Sequence, residues 1–385
     1  MTNLWQYLQN PITRSVGLIF FTLGILFLGL LARLPEIKDS LALSKFQTGM
    51  VLWSISIGAM LGTLMSGQFL RRRTAGQGAF IGIILAAGAV NLPPLATVYP
   101  FLLGGFLLAG VTNALVNVAM NSIAASVEQT GGVKILSTCH GMFSLGGFLG
   151  AGISGLMNKW EISLVLHFGI LATIMLILVL LHRKYLFAIA DLPSEENDRV
   201  FVLPDRRTFW PGVVIFGTGI LEGTMIDWSP VYFQDVLGAG PFWVSFSAGA
   251  VTGAMAFFRL SGDYLRTRLG ETRLLRISAL LTVCGVWLNV LVPLIPVAFL
   301  GNFIAGAGLA TMVPIIYGLA ARIPGASAKH AVAGMAAVSL MGFMTGPPVV
   351  GSIAELSNLR YGYVFAGVIA LIALIATFQL PKIKA

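Results

Sequence analysis

"GLLARLPEIKDSLALS" (29–44) closes a long apolar run with Arg33, Pro35, Glu36 and Lys38 in quick succession. Much of that layout returns in "IDWSPVYFQDVLGAG" (226–240), where Pro230 lies 195 residues after Pro35. Each stretch ends an apolar segment with a charged group followed by a proline. Proline lacks the N–H that would continue a helical ladder, so it ends or kinks a helix. A helix needs about 20 apolar residues to cross a hydrocarbon core of about 30 Å. The first stretch therefore reads as the outer end of a first membrane helix, and the second as the outer end of a related helix half a chain later.

The composition carries that reading to the whole chain of 385 residues, which is 57% hydrophobic and only 10% charged. A soluble domain is charged at roughly a quarter of its positions. In lipid every backbone polar group must find a partner within the chain, so the apolar windows are expected to be helices. Twelve spans are expected, near 14–37, 46–70, 77–97, 99–127, 134–158, 161–183, 209–234, 241–265, 273–293, 296–321, 329–355 and 360–380. The fold class is thus an all-α membrane protein. The polar stretch 184–208 reads as a linker between an amino-terminal six-helix bundle, 1–183, and a carboxy-terminal one, 209–385.

The net charge of +9 could suggest nucleic acid, but the basic residues gather in alternate loops. Arg71–Arg73, Arg183–Lys184, Arg206–Arg207, Arg266–Arg276 and Lys382–Lys384 fall on one side. That asymmetry follows the positive-inside rule and places both termini in the cytoplasm. No nucleic-acid partner is expected. Cys139 and Cys284 both sit in expected helices, and no two histidines have metal-ligand spacing, so neither a disulfide framework, a metal nor a cofactor is expected.

The two halves also match at Gly67 and Gly262, and at Ser144, Leu145, Gly147 and Phe148 against Ser339, Leu340, Gly342 and Phe343, every pair 195 apart. Such parallel repeats imply two pseudo-symmetric bundles with a site near the midplane.

"RLSGDYLRTRLGETR" (259–273) and its degenerate first copy "GQFLRRRTAG" (67–76) resemble the loop signature of the major facilitator superfamily. "RLPEIK", "NVAMN", "HGMFSLGG" and "EGTMIDWSPVY" further resemble a poorly characterised bacterial branch of inner-membrane transport proteins, the YbjJ type, distantly akin to fucose permease. The resemblance implies a secondary transporter that rocks its halves, with helices one, four, seven and ten lining the path. It also implies that Arg259 and Asp263, with Arg266 and Arg268, form a cytoplasmic latch.

Along those helices, Glu222 is a carboxyl in mid-span and is expected to couple protons, because a charge there is costly unless it is wet, paired or neutralised. Asp227, a second candidate for proton coupling, lies five positions on, about 140° around the helix. Arg33 is expected to pair with Asp227, or with Glu222, across an outer gate; the simpler alternative is that it snorkels to the interface. Asn113, Asn117 and Asn121 form one stripe at i, i+4, i+8. Asn113 and Asn117 are read as ligand contacts and Asn121 as a bridge between helices. His140 is a candidate proton relay, while His167, His182 and His330 look peripheral. Trp228, Asn302, Tyr317 and Phe343 complete the expected cavity wall.

Together these point to a monomeric, proton-coupled transporter of a small polar, sugar-like solute working by alternating access. Proton-driven efflux of amphipathic compounds is an alternative, and a transporter-derived sensor a further one. No H-E-x-x-H or G-x-S-x-G motif supports an embedded enzyme.

Overall fold

The computed structural model describes residues 7, 9–131, 135–190, 208–323 and 328–380, without the side chains of 263, 328 and 329. The expected linker, 184–208, falls mostly outside the described residues. The helices in order are α1 (Pro11–Ala32), α2 (Leu34–Ser40), α3 (Lys45–Leu70), α4 (Ala75–Ala89), α5 (Tyr99–Gly131), α6 (Leu136–Lys159), α7 (Leu164–Leu181) and α8 (Arg183–Phe187). They continue as α9 (Phe209–Asp227), α10 (Ser229–Asp235), α11 (Pro241–Leu260), α12 (Gly262–Leu269), α13 (Glu271–Leu291), α14 (Ile295–Ala320), α15 (Ala328–Leu356) and α16 (Leu359–Ala376). Among the described residues, eleven helices are long and apolar enough to cross a membrane. The twelfth of the expected series, α6, has the length at 24 residues, but its glycines and polar positions dilute its apolar content. The chain is an all-α membrane protein, and a count of twelve spans fits it.

The first and seventh spans are each broken once, and not in the single stretch expected. Arg33 separates α1 from α2, and Trp228 separates α9 from α10. Pro35 and Pro230 sit in the first turn of the restarted helices, where a missing N–H is tolerated. The short helices α2 and α10 begin and end 195 residues apart, as do α7 and α16. Even the caps correspond: Ser163 accepts from Leu166 N and Asn358 from Arg360 N.

Tight glycine crossings hold each bundle together and correct the repeat register. A Cβ on Gly24 would lie 2.1 Å from the Phe143 carbonyl, and one on Gly146 would lie 2.3 Å from that of Phe21. In the second bundle Gly219 meets the Ser339 carbonyl at 2.5 Å and Gly342 meets that of Phe216 at 2.3 Å. The counterpart of Gly342 is therefore Gly146 rather than Gly147, and of Ser339, Phe143 rather than Ser144: here the offset is 196. The crossing of Gly110 on Ile55 and that of Gly306 on Val251 share this offset of 196. Small residues are what allow helices to pack this closely where lipid tails offer no hydrophobic drive. We expect Gly24→Ala to destabilise the protein by about 1–3 kcal/mol through overpacking, read as a lower melting temperature in detergent. Gly88→Ala, where a Cβ meets nothing within 4 Å, should leave that temperature unchanged.

The chain divides into two compact units. One takes in the described residues among 1–43, 54–196 and 240–249; the other those among 44–53, 197–239 and 250–385. The first unit thus includes the start of α11: Asn158 donates to Ser245 Oγ at 3.2 Å, and Gly155 crosses Phe242. The second includes the start of α3, where Glu355 accepts from Phe46 N at 3.1 Å and Lys45 faces Asp235 at 4.0 Å.

Candidate functional site

In the first unit, α5 places Asn117 and Asn121 one turn apart on an accessible face, and α6 brings His140 against them. His140 Nε2 lies 3.1 Å from Asn121 Oδ1. Asn121 Nδ2 donates to the Asn117 carbonyl at 2.8 Å and to Asn117 Oδ1 at 3.0 Å. The Phe20 ring meets the imidazole edge-on, with centroids 5.2 Å apart. Asn117 is exposed and Asn113, one turn away, is half-buried. Asn121 is thus the bridge between α5 and α6 and carries the link from His140 to Asn117.

Arg33, expected at an outer gate with Asp227 or Glu222, finds a carboxylate within its own unit. Its side chain is 1% exposed and donates both Nε and Nη2 to the two carboxylate oxygens of Glu36, three residues on. Nη2 also donates to the Ile162 carbonyl at 3.0 Å, and Nη1 to His167 Nδ1 at 3.3 Å. A guanidinium only donates, so His167 Nδ1 must accept and the proton sits on Nε2. His167 is therefore buried and engaged, not peripheral as expected. The helix break at Arg33 turns Glu36 back toward the guanidinium, so the nearest carboxylate takes the charge. The group does not snorkel; it fastens the end of the first span to the start of the sixth.

In the second unit the mid-span carboxyl has a different cation. Arg259 Nη2 donates to Glu222 Oε1 at 3.3 Å, and both side chains are largely shielded, at 17% and 16% exposure. Arg259 was expected to pair with Asp263 in a latch; the Asp263 side chain lies outside the described residues. Arg266, another expected latch member, instead bonds Glu271, which Arg322 also bonds. Tyr317 is within electrostatic reach of Glu222, as is Asp227. Asp227 is half-buried and forms no hydrogen bond or ion pair among the described residues. A Cβ built on Gly223 would meet Phe343 Cδ1 at 3.5 Å and Asp227 Oδ2 at 3.7 Å, so ring and carboxylate flank the same glycine.

Two of the expected wall residues are enclosed. Trp228 is 0% exposed, and so is Asn302, whose Nδ2 donates to Ser229 Oγ at 3.0 Å. Ser229 Oγ in turn donates to the Met225 carbonyl at 2.7 Å and lies 3.4 Å from Tyr363 Oη, whose ring sits 4.2 Å from that of Tyr232. The seventh-span break fills with rings and hydroxyls, which explains why Trp228 and Asn302 are packed inward rather than offered to a solute.

Residues 15–339 match the family model described as Major Facilitator Superfamily. The chain belongs to the Major Facilitator Superfamily. A Yersinia pestis protein described as an uncharacterized MFS-type transporter is 30% identical over 377 residues, covering 96% of this chain and 95% of its own. The D-xylose-proton symporter superposes with a TM-score of 0.75 at 16% identity, covering 97% of this chain and 98% of its own. A mutant of the nucleoside transporter NupG gives 0.75 at 14% identity, covering 97% of this chain and all of its own. At such identities the two structures speak for the fold alone. The chain is thus a multi-pass membrane protein of a family of transporters, as the loop signature at 259–273 led us to expect.

Proposed function

We propose that the protein is a proton-coupled secondary transporter of a small polar solute, working by alternating access in the inner membrane with both termini cytoplasmic. In this reading residues 1–183 and 209–385 are the moving halves and 184–208 joins them on the cytoplasmic side. The observation that carries the proposal is the shielded Glu222–Arg259 pair with Asp227 beside it. A proton arriving at Glu222 neutralises the carboxylate that accepts from Arg259 Nη2. Neutralising one member of a shielded ion pair weakens the attraction between the helices that carry it, so protonation shifts the balance between conformations. The solute and the proton bias rocking only through their different affinities for the two states.

The solute class follows from the neutral amides of Asn113 and Asn117 and from relatives in fold whose names include a xylose symporter and a nucleoside transporter. Counterflow of labelled D-xylose and uridine in proteoliposomes tests transport itself, and imposing an inward proton gradient tests coupling. Accumulation that follows the gradient supports the reading. Exchange without any response to it removes proton coupling. No exchange of either solute, with ligand binding intact, would favour a sensor.

The role of Asp227 yields a further prediction. Asp227→Asn should keep exchange within about threefold of the native rate, because the amide keeps the shape of the side chain and among the described residues no hydrogen bond or ion pair depends on that carboxylate. Initial counterflow rates at fixed solute concentration measure this.

A further inference from the structure

The His140–Asn121–Asn117 chain has only one possible polarity. Asn121 Nδ2 lies 2.8 Å from a backbone carbonyl, that of Asn117, which can only accept. This fixes which end of the Asn121 amide is nitrogen. Asn121 Oδ1 therefore faces His140, and His140 Nε2 must be the donor across 3.1 Å. At the other end Asn121 Nδ2 also donates to Asn117 Oδ1 at 3.0 Å. Asn117 has then committed one lone pair of its oxygen within the protein, while both N–H bonds of its NH2 group remain uncommitted. Among the described residues that group has no protein acceptor, and Asn117 is exposed.

We propose that this ladder presents the Asn117 NH2 group as a donor to a neutral oxygen acceptor, a hydroxyl or carbonyl of the solute, and that His140 is the positioning residue which holds that polarity. The inference deepens the transporter reading and rests on it for the identity of the ligand as a transported solute. The position argues for a wet face: Asn117 lies in the middle of α5, where an amide pair turned to hydrocarbon would be costly. The chemistry argues for an acceptor, since two N–H bonds are offered while Oδ1 already accepts from Asn121. The lack of charge argues for a neutral one. Asn117 and Asn121 carry none, and no arginine or lysine bonds to either among the described residues. Hydrogen bonds in a row polarise one another, so a donor at His140 strengthens the donor presented at Asn117.

Two measurements on the full-length protein test this. The first needs no ligand. Nitrogen-15 NMR of histidine-labelled protein in lipid vesicles, with His140→Gln to assign the signal, should show the His140 proton on Nε2. Asn121→Leu should then shift that signal. A proton on Nδ1 alone, or a signal indifferent to Asn121→Leu, overturns the polarity.

The second uses D-xylose and uridine as neutral probes, D-glucuronate as an anion and D-glucosamine as a cation, with binding followed by calorimetry. We expect at least one neutral probe to bind, and Asn117→Asp to weaken it about tenfold or more, because an isosteric carboxylate offers no donor and faces the probe's oxygen with its own. His140→Gln, which keeps a side-chain N–H, should bind within about twofold, while His140→Leu should lose several-fold. Binding of D-glucosamine alone or D-glucuronate alone, no binding by either neutral probe, or indifference to Asn117→Asp overturns the assigned ligand class. If native protein exchanges a probe whose binding ignores Asn117→Asp, the ladder proposal fails while transport stands. If the binding pattern appears without any exchange, the ladder stands and transport fails.

Discussion

Glu222→Gln should leave counterflow of a transported solute near the native rate and abolish its accumulation against a gradient, lowering the steady-state ratio at least tenfold. The glutamine is isosteric and its amide oxygen can still accept from Arg259, so the geometry at 3.3 Å survives. What is lost is the ability to alternate between charged and neutral forms. Exchange needs only the rocking of a loaded protein, whereas accumulation needs each cycle to carry a proton. The measurement is a paired one on the same vesicles: counterflow with no pH difference, then uptake with an imposed one. Uphill uptake at the native level by the glutamine variant would remove Glu222 from the coupling mechanism. The partner supplies a control. Arg259→Gln leaves a carboxylate shielded and unpaired, a loss of about 3–5 kcal/mol. Changing both residues to glutamine should recover much of that stability, since no shielded carboxylate then remains unpaired.

The second large effect concerns the knot at the end of the first span. Glu36→Ala should destabilise the protein by about 3 kcal/mol. It strips the carboxylate from a guanidinium whose side chain is 1% exposed and leaves only His167 Nδ1 and the Ile162 carbonyl as acceptors. The effect is expected as a marked fall in melting temperature in detergent. Arg33→Met combined with Glu36→Leu should lose less than Glu36→Ala alone, because replacing both members of a buried pair with apolar groups is often close to neutral. An unchanged melting temperature in Glu36→Ala, with transport abolished, would return Arg33 to the gating role expected of it at the outset.

These two arginines show where sequence reasoning reaches and where it stops. Membrane-length apolar runs, prolines at Pro35 and Pro230, and the "RLSGDYLRTRLGETR" loop are local signals, and they carried the fold and the family. The stripe of Asn113, Asn117 and Asn121 was equally legible, since helical periodicity places those residues on one face. Pairing of charges was not. Arg33 and Glu36 are three apart, a spacing that always allows contact on a helix, yet the intervening proline drew attention to a partner in the other half. Arg259 and Glu222 are 37 residues apart on separate spans, and nothing in a single sequence ties them. His167 carried no signal at all, since a lone histidine near a helix start looks the same whether it is buried or not. Trp228 and Asn302 were chosen by their place on path-lining helices, but only packing decides whether a side chain faces a path or a neighbouring helix.

The drift of the repeat offset from 195 to 196 and back carries one more lesson. The extra residue entered after α10, which keeps 195, and before the crossing at Val251, which has 196; it was given up again between Gly346 and α16. The two halves thus differ by one residue over this stretch, while the crossings at Gly24, Gly110 and Gly146 kept counterparts at Gly219, Gly306 and Gly342. Where a crossing is shared by the halves its contact was kept while the residue count between drifted, so anyone grafting a substitution from one half onto the other should count by crossings, not by residues.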